Sequence, residues 1–167
     1  MKIIMDACTA ILLAKSSVIE ILTDTKEIKM TKQVYEEIIK GKEKMFEDSF
    51  LIESLKKKKK IHLINDNKEI TEKLMKDFNM GEGEASTISA GIENKSIIAT
   101  DNLQGRKASR VNNLQLVGSP ELIISLFKRK KITLEKTRVS LKKLKEEGWF
   151  ETNLIEKLEE DINNGKS

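Results

Sequence analysis

The chain of 167 residues has one cysteine, one proline and few aromatic side chains. With Cys8 as the only cysteine, no internal disulfide can form, which fits a reducing compartment. Aromatic residues make up only 4% of the chain, so the core has to be built from Ile, Leu, Val and Met. No apolar run reaches the roughly 18 residues of a membrane helix, and no signal peptide is expected. These absences predict a soluble cytoplasmic protein without a membrane partner.

Charge and length place only weak limits on the binding partners and on the number of domains. Charged residues make up 35% of the chain, and the formal net charge is +4. This mild basic excess is compatible with a polyanionic partner but does not identify one. The run Lys56–Lys60 could contact a phosphate backbone, although runs of like charge are more often solvated surface. The length suits one domain with a good core, or one domain with an appendage.

The stretch from Lys2 to Lys15 organises the rest of the chain. Its apolar residues at positions 3–5 predict a buried strand that stops at Asp6, and a small-residue turn and a helix follow. This order places a side chain at the carboxyl end of a parallel strand, where open α/β sheets bind their ligands. Asp6 could instead serve only as the N-cap of the helix. Both interpretations remain open for this stretch alone.

Further strands are predicted at 27–30, 61–64, 96–99 and 114–117, alternating with helices. Such alternation predicts a parallel sheet covered by helices on both faces. From about residue 130 the pattern contains helices only. We therefore expect a domain at 1–129 and a C-terminal extension of two helices at 130–167, packed on the domain or on a partner. The apolar stripes of the two helices are formed by Leu141 and Leu144, and by Leu154, Ile155, Leu158 and Ile162.

Four acidic residues stand where a parallel sheet would bring them to one edge. Asp6 and Asp101 each follow a predicted strand, while Glu84 opens one helix and Glu37 lies early in another. Converging carboxylates repel one another, and a hard divalent cation such as Mg²⁺ or Mn²⁺ would relieve the repulsion. Each acid alone could equally be solvated or favoured by a helix dipole.

Helical position does not decide which acidic neighbour faces that edge. Glu36 and Glu37 lie about equally far from the apolar stripe of their helix, and the same holds for Glu82 and Glu84.

Four sequence blocks follow one another along the chain: Asp6–Lys15, Val34–Ile38, Gly81–Ala85 and Thr100–Arg106. Together they resemble the PIN-domain family. Within it, the chain is most similar to the small prokaryotic branch related to VapC toxin ribonucleases, in a subgroup with a C-terminal helical extension. The resemblance implies a three-layer α/β/α Rossmann-like PIN fold with a central, mainly parallel sheet. It also implies hydrolysis of RNA phosphodiester bonds that depends on Mg²⁺ or Mn²⁺.

The resemblance assigns roles to individual acids. Asp6, Glu37, Glu84 and Asp101 match the catalytic acids of the family. Asp6, Glu84 and Asp101 are the implied ligands of one or two metal ions. Glu37 would orient water or complete a second metal site.

Two positions depart from the family pattern. Cys8 stands where the family usually has Ser or Thr, with Thr9 next to it, and Asn102 stands where a second acid is common. Thr9, Asn102 and Arg106 are therefore candidates for contacts to substrate or to the catalytic acids. Arg106 could contact a phosphate or simply pair with a neighbouring acid.

RNA, an antitoxin protein and a second copy of the chain are the partners that the resemblance implies. The non-enzymatic alternative is a catalytically weak or inactive PIN scaffold that binds RNA or a protein. Phosphotransfer domains with a nucleophilic aspartate are disfavoured: aspartyl phosphatases need an acid at the position of Cys8, and receiver domains need paired acids.

Overall fold

Five parallel strands form a central sheet in the order β3-β2-β1-β4-β5. The structure is a computed structural model and describes residues 2–148 together with residues 156, 160 and 162. The strands are β1 (Lys2–Met5), β2 (Glu27–Thr31), β3 (Ile61–Ile64), β4 (Ile97–Ala99) and β5 (Leu116–Val117).

Helices connect successive strands, as expected for parallel neighbours. The helices in the described part are α1 (Ala7–Lys15), α2 (Ile19–Thr25), α3 (Lys32–Lys40), α4 (Glu47–Lys57), α5 (Lys68–Phe78), α6 (Glu82–Asn94), α7 (Leu103–Val111), α8 (Ser119–Lys128) and α9 (Leu134–Glu147).

Strand β1 lies at the centre of the sheet and sets the position of the site. Ile3 pairs with Ile28 of β2 on one side and with Ile97 of β4 on the other. The chain builds β2 and β3 outward on one side, then returns across the sheet to add β4 and β5. The order of strands therefore reverses between β1 and β4. Ligands of open parallel sheets bind at such a reversal, at the carboxyl ends of the strands.

The two faces of the sheet carry separate hydrophobic cores. Ile3 and Met5 belong to the main core, which contains buried residues of α1–α4, α8 and α9. Ile4 and Ile98 face the other side, where they pack with Ala90 of α6. Side chains alternate between faces along a strand, so one short apolar run supplies both layers. The three-layer α/β/α arrangement predicted from the sequence is confirmed, and all five strands are parallel.

Helix α9 packs on the body through its predicted apolar face. Leu141 and Leu144 are fully buried in the main core, and the Ser140 hydroxyl donates to the Ser16 carbonyl at 3.0 Å. Ile162 also packs against this core. The predicted stripe residues Leu154, Ile155 and Leu158 lie outside the described residues. The division of the chain into 1–129 and 130–167 stays a prediction.

Three helix boundaries have local features. A short 3-10 turn at Gly41–Lys44 precedes α4, and Met45 then adopts a left-handed conformation with φ 57°. Helix α6 starts at Glu82, so Glu82 and Glu84 both lie in its first turn. Ser119 is the first residue of α8.

In the part of the chain that the structure describes, no helix is both long enough and apolar enough to cross a bilayer.

Candidate active site at the carboxyl edge of the sheet

Asp6 connects the two halves of the sheet at the point where the strand order reverses. Its backbone N–H donates to the Ala99 carbonyl at 3.1 Å, which extends the pairing of β1 with β4. Its Oδ1 accepts a hydrogen bond from the Thr9 N–H at 2.8 Å and caps α1. Asp6 is only 2% exposed, and its Oδ2 has no hydrogen-bond partner among the described residues. One oxygen is therefore structural, while the other is buried and unsatisfied.

The buried position changes the acidity of Asp6. Burial raises the pKa of this carboxyl to about 6, although hydrogen bonds from Thr100 and Thr9 act in the opposite direction. The negative charge of Asp101 raises the pKa further. The ionised form at neutral pH is thus destabilised by its surroundings, which is the electrostatic condition for binding a cation.

Asp101 follows β4 and is held by the start of α8. Its Oδ1 accepts from the Ser119 N–H at 2.9 Å, and its Oδ2 contacts the Ser119 hydroxyl. Burial raises the pKa of Asp101, while the two hydrogen bonds from Ser119 lower it. Both oxygens of this carboxylate therefore have partners, in contrast to Asp6.

The fully buried Thr9 lies between these two acids. Its Oγ1 accepts from the Asp101 N–H at 3.1 Å, and its hydroxyl lowers the pKa of both Asp6 and Asp101. The hydroxyl that the family pattern expects at the position of Cys8 is thus supplied one residue later.

The other two predicted acids line a cleft of about 440 Å³ that also contains Asp6 and Cys8. Hydrogen bonding between the Thr31 and Ser86 hydroxyls, 2.7 Å apart, holds the start of α3 against α6. The cleft is lined along α3 by Gln33, Glu36, Glu37 and Lys40, and along the start of α6 by Gly81, Glu82, Gly83 and Glu84.

Glu37 and Glu84 interact across this cleft. A side chain at Gly83 would place its Cβ 2.5 Å from Glu37 Oε2, so the absence of a side chain there makes room for the carboxylate. Burial raises the pKa of Glu84, the Gly81 backbone hydrogen bond lowers it, and the charge of Glu37 raises it. Glu37 rather than Glu36 is thus the acid whose carboxylate lies against α6.

The negative charges of all four predicted acids act on the thiol of Cys8. Cys8 has exposed surface, yet its thiol is partly enclosed by the neighbouring protein atoms. Burial, and then the negative charges of the four acids, raise the pKa of this thiol to about 12. The four are Asp6, Asp101, Glu84 and Glu37. Asp6, Glu37 and Glu84, which are far apart in the sequence, line the same cleft as Cys8.

The acidic side chains suit a metal ion in their chemistry but not in their spacing. Among residues 2–148, 156, 160 and 162, no group of three or more His, Cys, Asp or Glu side chains is placed closely enough to hold a metal. The donor chemistry nevertheless fits a hard divalent cation, since the oxygens are carboxylates and Asp6 Oδ2 is buried without a partner. The carboxylates would have to move closer together to share an ion.

Asn102 and Arg106 have structural partners. Asn102 Oδ1 accepts from the N–H groups of Gln104 at 2.7 Å and Gly105 at 3.2 Å, which caps α7. Arg106 donates to the Thr100 carbonyl at 3.2 Å and lies 3.9 Å from a carboxylate oxygen of Glu121. The ion-pair interpretation of Arg106 therefore describes this structure.

Two residues of the site were not predicted as site residues. The Thr100 side chain lowers the pKa of Asp6, and Ser119 donates to the Asp101 carboxylate. Thr100 directly follows β4, and Ser119 stands two residues after the end of β5. A polar residue just past the carboxyl end of a strand is the signal that could have indicated them.

A parallel sheet with a strand-order reversal and four acids near its carboxyl edge defines the chain as a Rossmann-like α/β/α protein with an acidic site. The family model DUF3368, described as a PIN domain, matches residues 2–163. The chain therefore belongs to the PIN domain family, whose members are generally nucleases and usually bind divalent metal ions. Among curated proteins, none matches the chain significantly.

A solved structure supports the same fold. The crystal structure of PAE2754 from Pyrobaculum aerophilum superposes with a TM-score of 0.55 at 12% sequence identity. The similarity covers 77% of this chain and 99% of that one. At this identity the match concerns the fold alone.

Proposed function

We propose that this protein is a Mg²⁺- or Mn²⁺-dependent endoribonuclease of the VapC-like type. The observation that carries the proposal is the cleft that Asp6, Glu37 and Glu84 line together, with the buried and unpartnered Asp6 Oδ2 beside it. Membership of a family of nucleases supplies the reaction class, the hydrolysis of RNA phosphodiester bonds.

Each acid has a separate task in this proposal. Asp6, Glu84 and Asp101 would hold the metal, and a bound divalent ion activates water and neutralises charge on a phosphoryl group. Glu37, next to Glu84 in the cleft, orients the attacking water or completes a second site. Thr9 links the two acids, since its N–H donates to Asp6 Oδ1 and its Oγ1 accepts from the Asp101 N–H. No side chain becomes covalently modified.

The second candidate is a PIN scaffold that binds RNA or protein without cutting. It is favoured by the absence, among the described residues, of three acids already grouped for a metal. Asn102 is an uncharged amide where the family often has an acid, and its side-chain oxygen caps α7.

Thermal unfolding with and without millimolar Mn²⁺ separates the two candidates. Binding to the native state alone raises stability, so a hundredfold excess over Kd should raise Tm by about 5–10 °C. Glu84→Gln should lose most of that shift, while Glu82→Gln, in the same helical turn, should keep it. Asp101→Asn should abolish cleavage of a generic RNA while the fold is retained. No Mn²⁺ shift and no Mn²⁺-dependent cleavage by the native chain would leave the scaffold as the function.

The toxin role and the partners belong to the same proposal. Large apolar side chains at the surface, such as Leu103 (82% exposed) and Met45 (75% exposed), offer area that a second copy or an antitoxin would cover. An adjacent reading frame for a small protein with a DNA-binding head and an amphipathic tail would support the toxin role. A monomeric mass in sedimentation equilibrium would rule out the homodimer.

A further inference from the structure

A row of lysines crosses the edge of the sheet that is opposite to the four acids. All five strands are parallel, so the residues that lead into them share this edge, which we call the amino edge. Lys2 is the first residue of β1, Lys26 and Lys60 directly precede β2 and β3, and Lys95 stands two residues before β4. In sheet order the row is Lys60, Lys26, Lys2 and Lys95. With neighbouring strands about 4.8 Å apart, it spans about 14 Å.

Other cations extend the row. Lys57–Lys59 at the end of α4 and Lys128–Lys131 at the end of α8 are exposed. Part of this charge is paired: Asp24 pairs with Lys60 at 2.6 Å, Glu53 with Lys57 at 3.3 Å, and Glu27 with Lys29 at 3.3 Å. None of the ion pairs among the described residues involves Lys2, Lys58, Lys59 or Lys95, so the amino edge keeps positive charge that no ion pair balances.

Lys26 is a buried lysine of this row, and a second positive charge acts on it. It is only 7% exposed, and none of the ion pairs in the described part of the chain involves it. Burial lowers the pKa of Lys26, and the positive charge of Arg129 lowers it further. The end of α8 thus brings a second cation towards a buried lysine. An anion bound there would relieve the repulsion.

A cleft of about 420 Å³ lies at the β4–β5 end of the amino edge. Amide side chains of the kind that hydrogen-bond base edges line it beside apolar ones that can contact the face of a base. Lys95 belongs both to this cleft and to the lysine row. The cleft is lined by Ile92, Lys95, Ser96, Asn112, Asn113, Leu114 and Gln115.

We infer that the amino edge is an anchoring surface for single-stranded RNA, with its exposed cations on the phosphates and the amide-lined cleft on a base. Proteins usually bind single strands through a positively charged groove together with side chains that contact individual bases. The inference rests on the proposed function for the identity of the polyanion. It places the anchored part of the RNA on the edge opposite the acids, where their charge does not repel it.

The test compares two variants that each remove three positive charges from exposed positions. Fluorescence anisotropy of a labelled single-stranded RNA in EDTA, which prevents metal-dependent cleavage, reports binding. The amino-edge variant is K58Q/K95Q/R129Q, and the control variant, on α5 and α7, is K68Q/K73Q/K107Q.

The amino-edge variant should bind at least tenfold more weakly than the native chain at low salt. The slope of log K against log salt should fall by about 0.7 for each lost phosphate contact, about 2 in total. The control variant should bind within about twofold of the native chain. Equal losses in both variants would reduce the effect to net charge and overturn the inference, as would no loss in either. Binding to anionic phosphatidylserine vesicles in place of RNA would overturn it as well.

The cleft has its own test. Asn113→Asp together with Gln115→Glu preserves side-chain shape while adding two negative charges, and should weaken RNA binding without touching the lysines. Unchanged binding would remove the cleft from the anchoring surface.

The RNA-binding tests and the cleavage test can fail separately. Failure of Mn²⁺-dependent cleavage by the native chain would end that proposal and leave the anisotropy comparison intact. Native-like binding by the amino-edge variant would end the anchoring surface while cleavage continued.

Discussion

Ser119 holds both oxygens of the Asp101 carboxylate. Its N–H donates to Oδ1 at 2.9 Å and its hydroxyl contacts Oδ2, although 18 positions separate the two residues in the chain. The first turn of α8 thereby fixes an acid that follows β4. Ser119 is a positioning residue in the proposed site, because it acts on the reaction through Asp101.

Ser119→Ala tests this role. The variant keeps the backbone hydrogen bond and loses the hydroxyl contact, so the pKa of Asp101 should rise and its carboxylate should become less restrained. We expect Mn²⁺ affinity and cleavage to fall by about 10- to 100-fold, as for other residues that orient ligands. The free energy of unfolding should fall by only about 1 kcal/mol. Calorimetric titration with Mn²⁺ measures the affinity. Ser125→Ala, on the same helix, is the control, and a similar loss in that variant would contradict the role of Ser119.

Gly83→Ala should separate activity from stability. The added Cβ would lie 2.5 Å from Glu37 Oε2, so the flexible end of Glu37 has to move away from α6. Alanine favours a helix by up to about 1 kcal/mol over glycine, so Tm should stay constant or rise. Cleavage should fall to the level of Glu37→Gln, measured on the same RNA. Native cleavage in Gly83→Ala would show that the position of Glu37 is irrelevant.

The metal-free protein should lose stability as pH rises through the titration of Asp6. Its pKa is about 6 in the folded state and near 4 when unfolded, so the folded state binds the proton more tightly. The Asp6 contribution is therefore complete below pH 4 and is lost between about pH 4 and pH 6. Two pKa units correspond to about 3 kcal/mol. Burial of Asp101 and Glu84 shifts their pKa in the same direction.

Asp6→Asn isolates this contribution, since asparagine caps a helix as well as aspartate does. Urea unfolding in EDTA should find the variant more stable than the native chain at pH 7.5 and similar to it at pH 4. A variant less stable than the native chain at pH 7.5 would contradict the buried, unfavourable charge.

Alkylation of Cys8 reports on the acidic region directly, because it is the only cysteine. Burial and the surrounding carboxylates raise its pKa to about 12, so iodoacetamide should react slowly at pH 8. Glu37→Gln and Glu84→Gln each remove one negative charge and should speed the reaction. Labelling is followed by mass spectrometry, with Glu69→Gln on α5 as the control. Equal rates in all variants would mean that the acids do not act on the thiol.

The strand pattern alone was enough to predict that Asp6 and Asp101 lie at the same edge of the sheet. Each follows a short apolar strand, and parallel pairing fixes their common edge whatever the helices do. Helical periodicity could not decide whether Glu36 or Glu37 faces the site. It depends on the contact of α3 with Gly83 of α6, which is a property of the packed structure.

Other features were hidden because they depend on tertiary contact. Helix α6 begins at Glu82 and contains Gly83, where the lack of a side chain lets Glu37 approach. Thr9 was a candidate as the hydroxyl residue next to Cys8, and only the approach of β4 shows that its hydroxyl oxygen accepts from the Asp101 N–H. The contact of Ser119 with Asp101 likewise requires α8 to dock.

Because β1 precedes the other four strands in the chain, the ribosome releases Asp6 long before the residues that surround it. Its neighbour strand ends at Ala99, and Ser119 comes later still. Until Ser119 has been made, the Asp101 carboxylate lacks both of its hydrogen-bond donors, so this side of the acidic region is completed only late in synthesis.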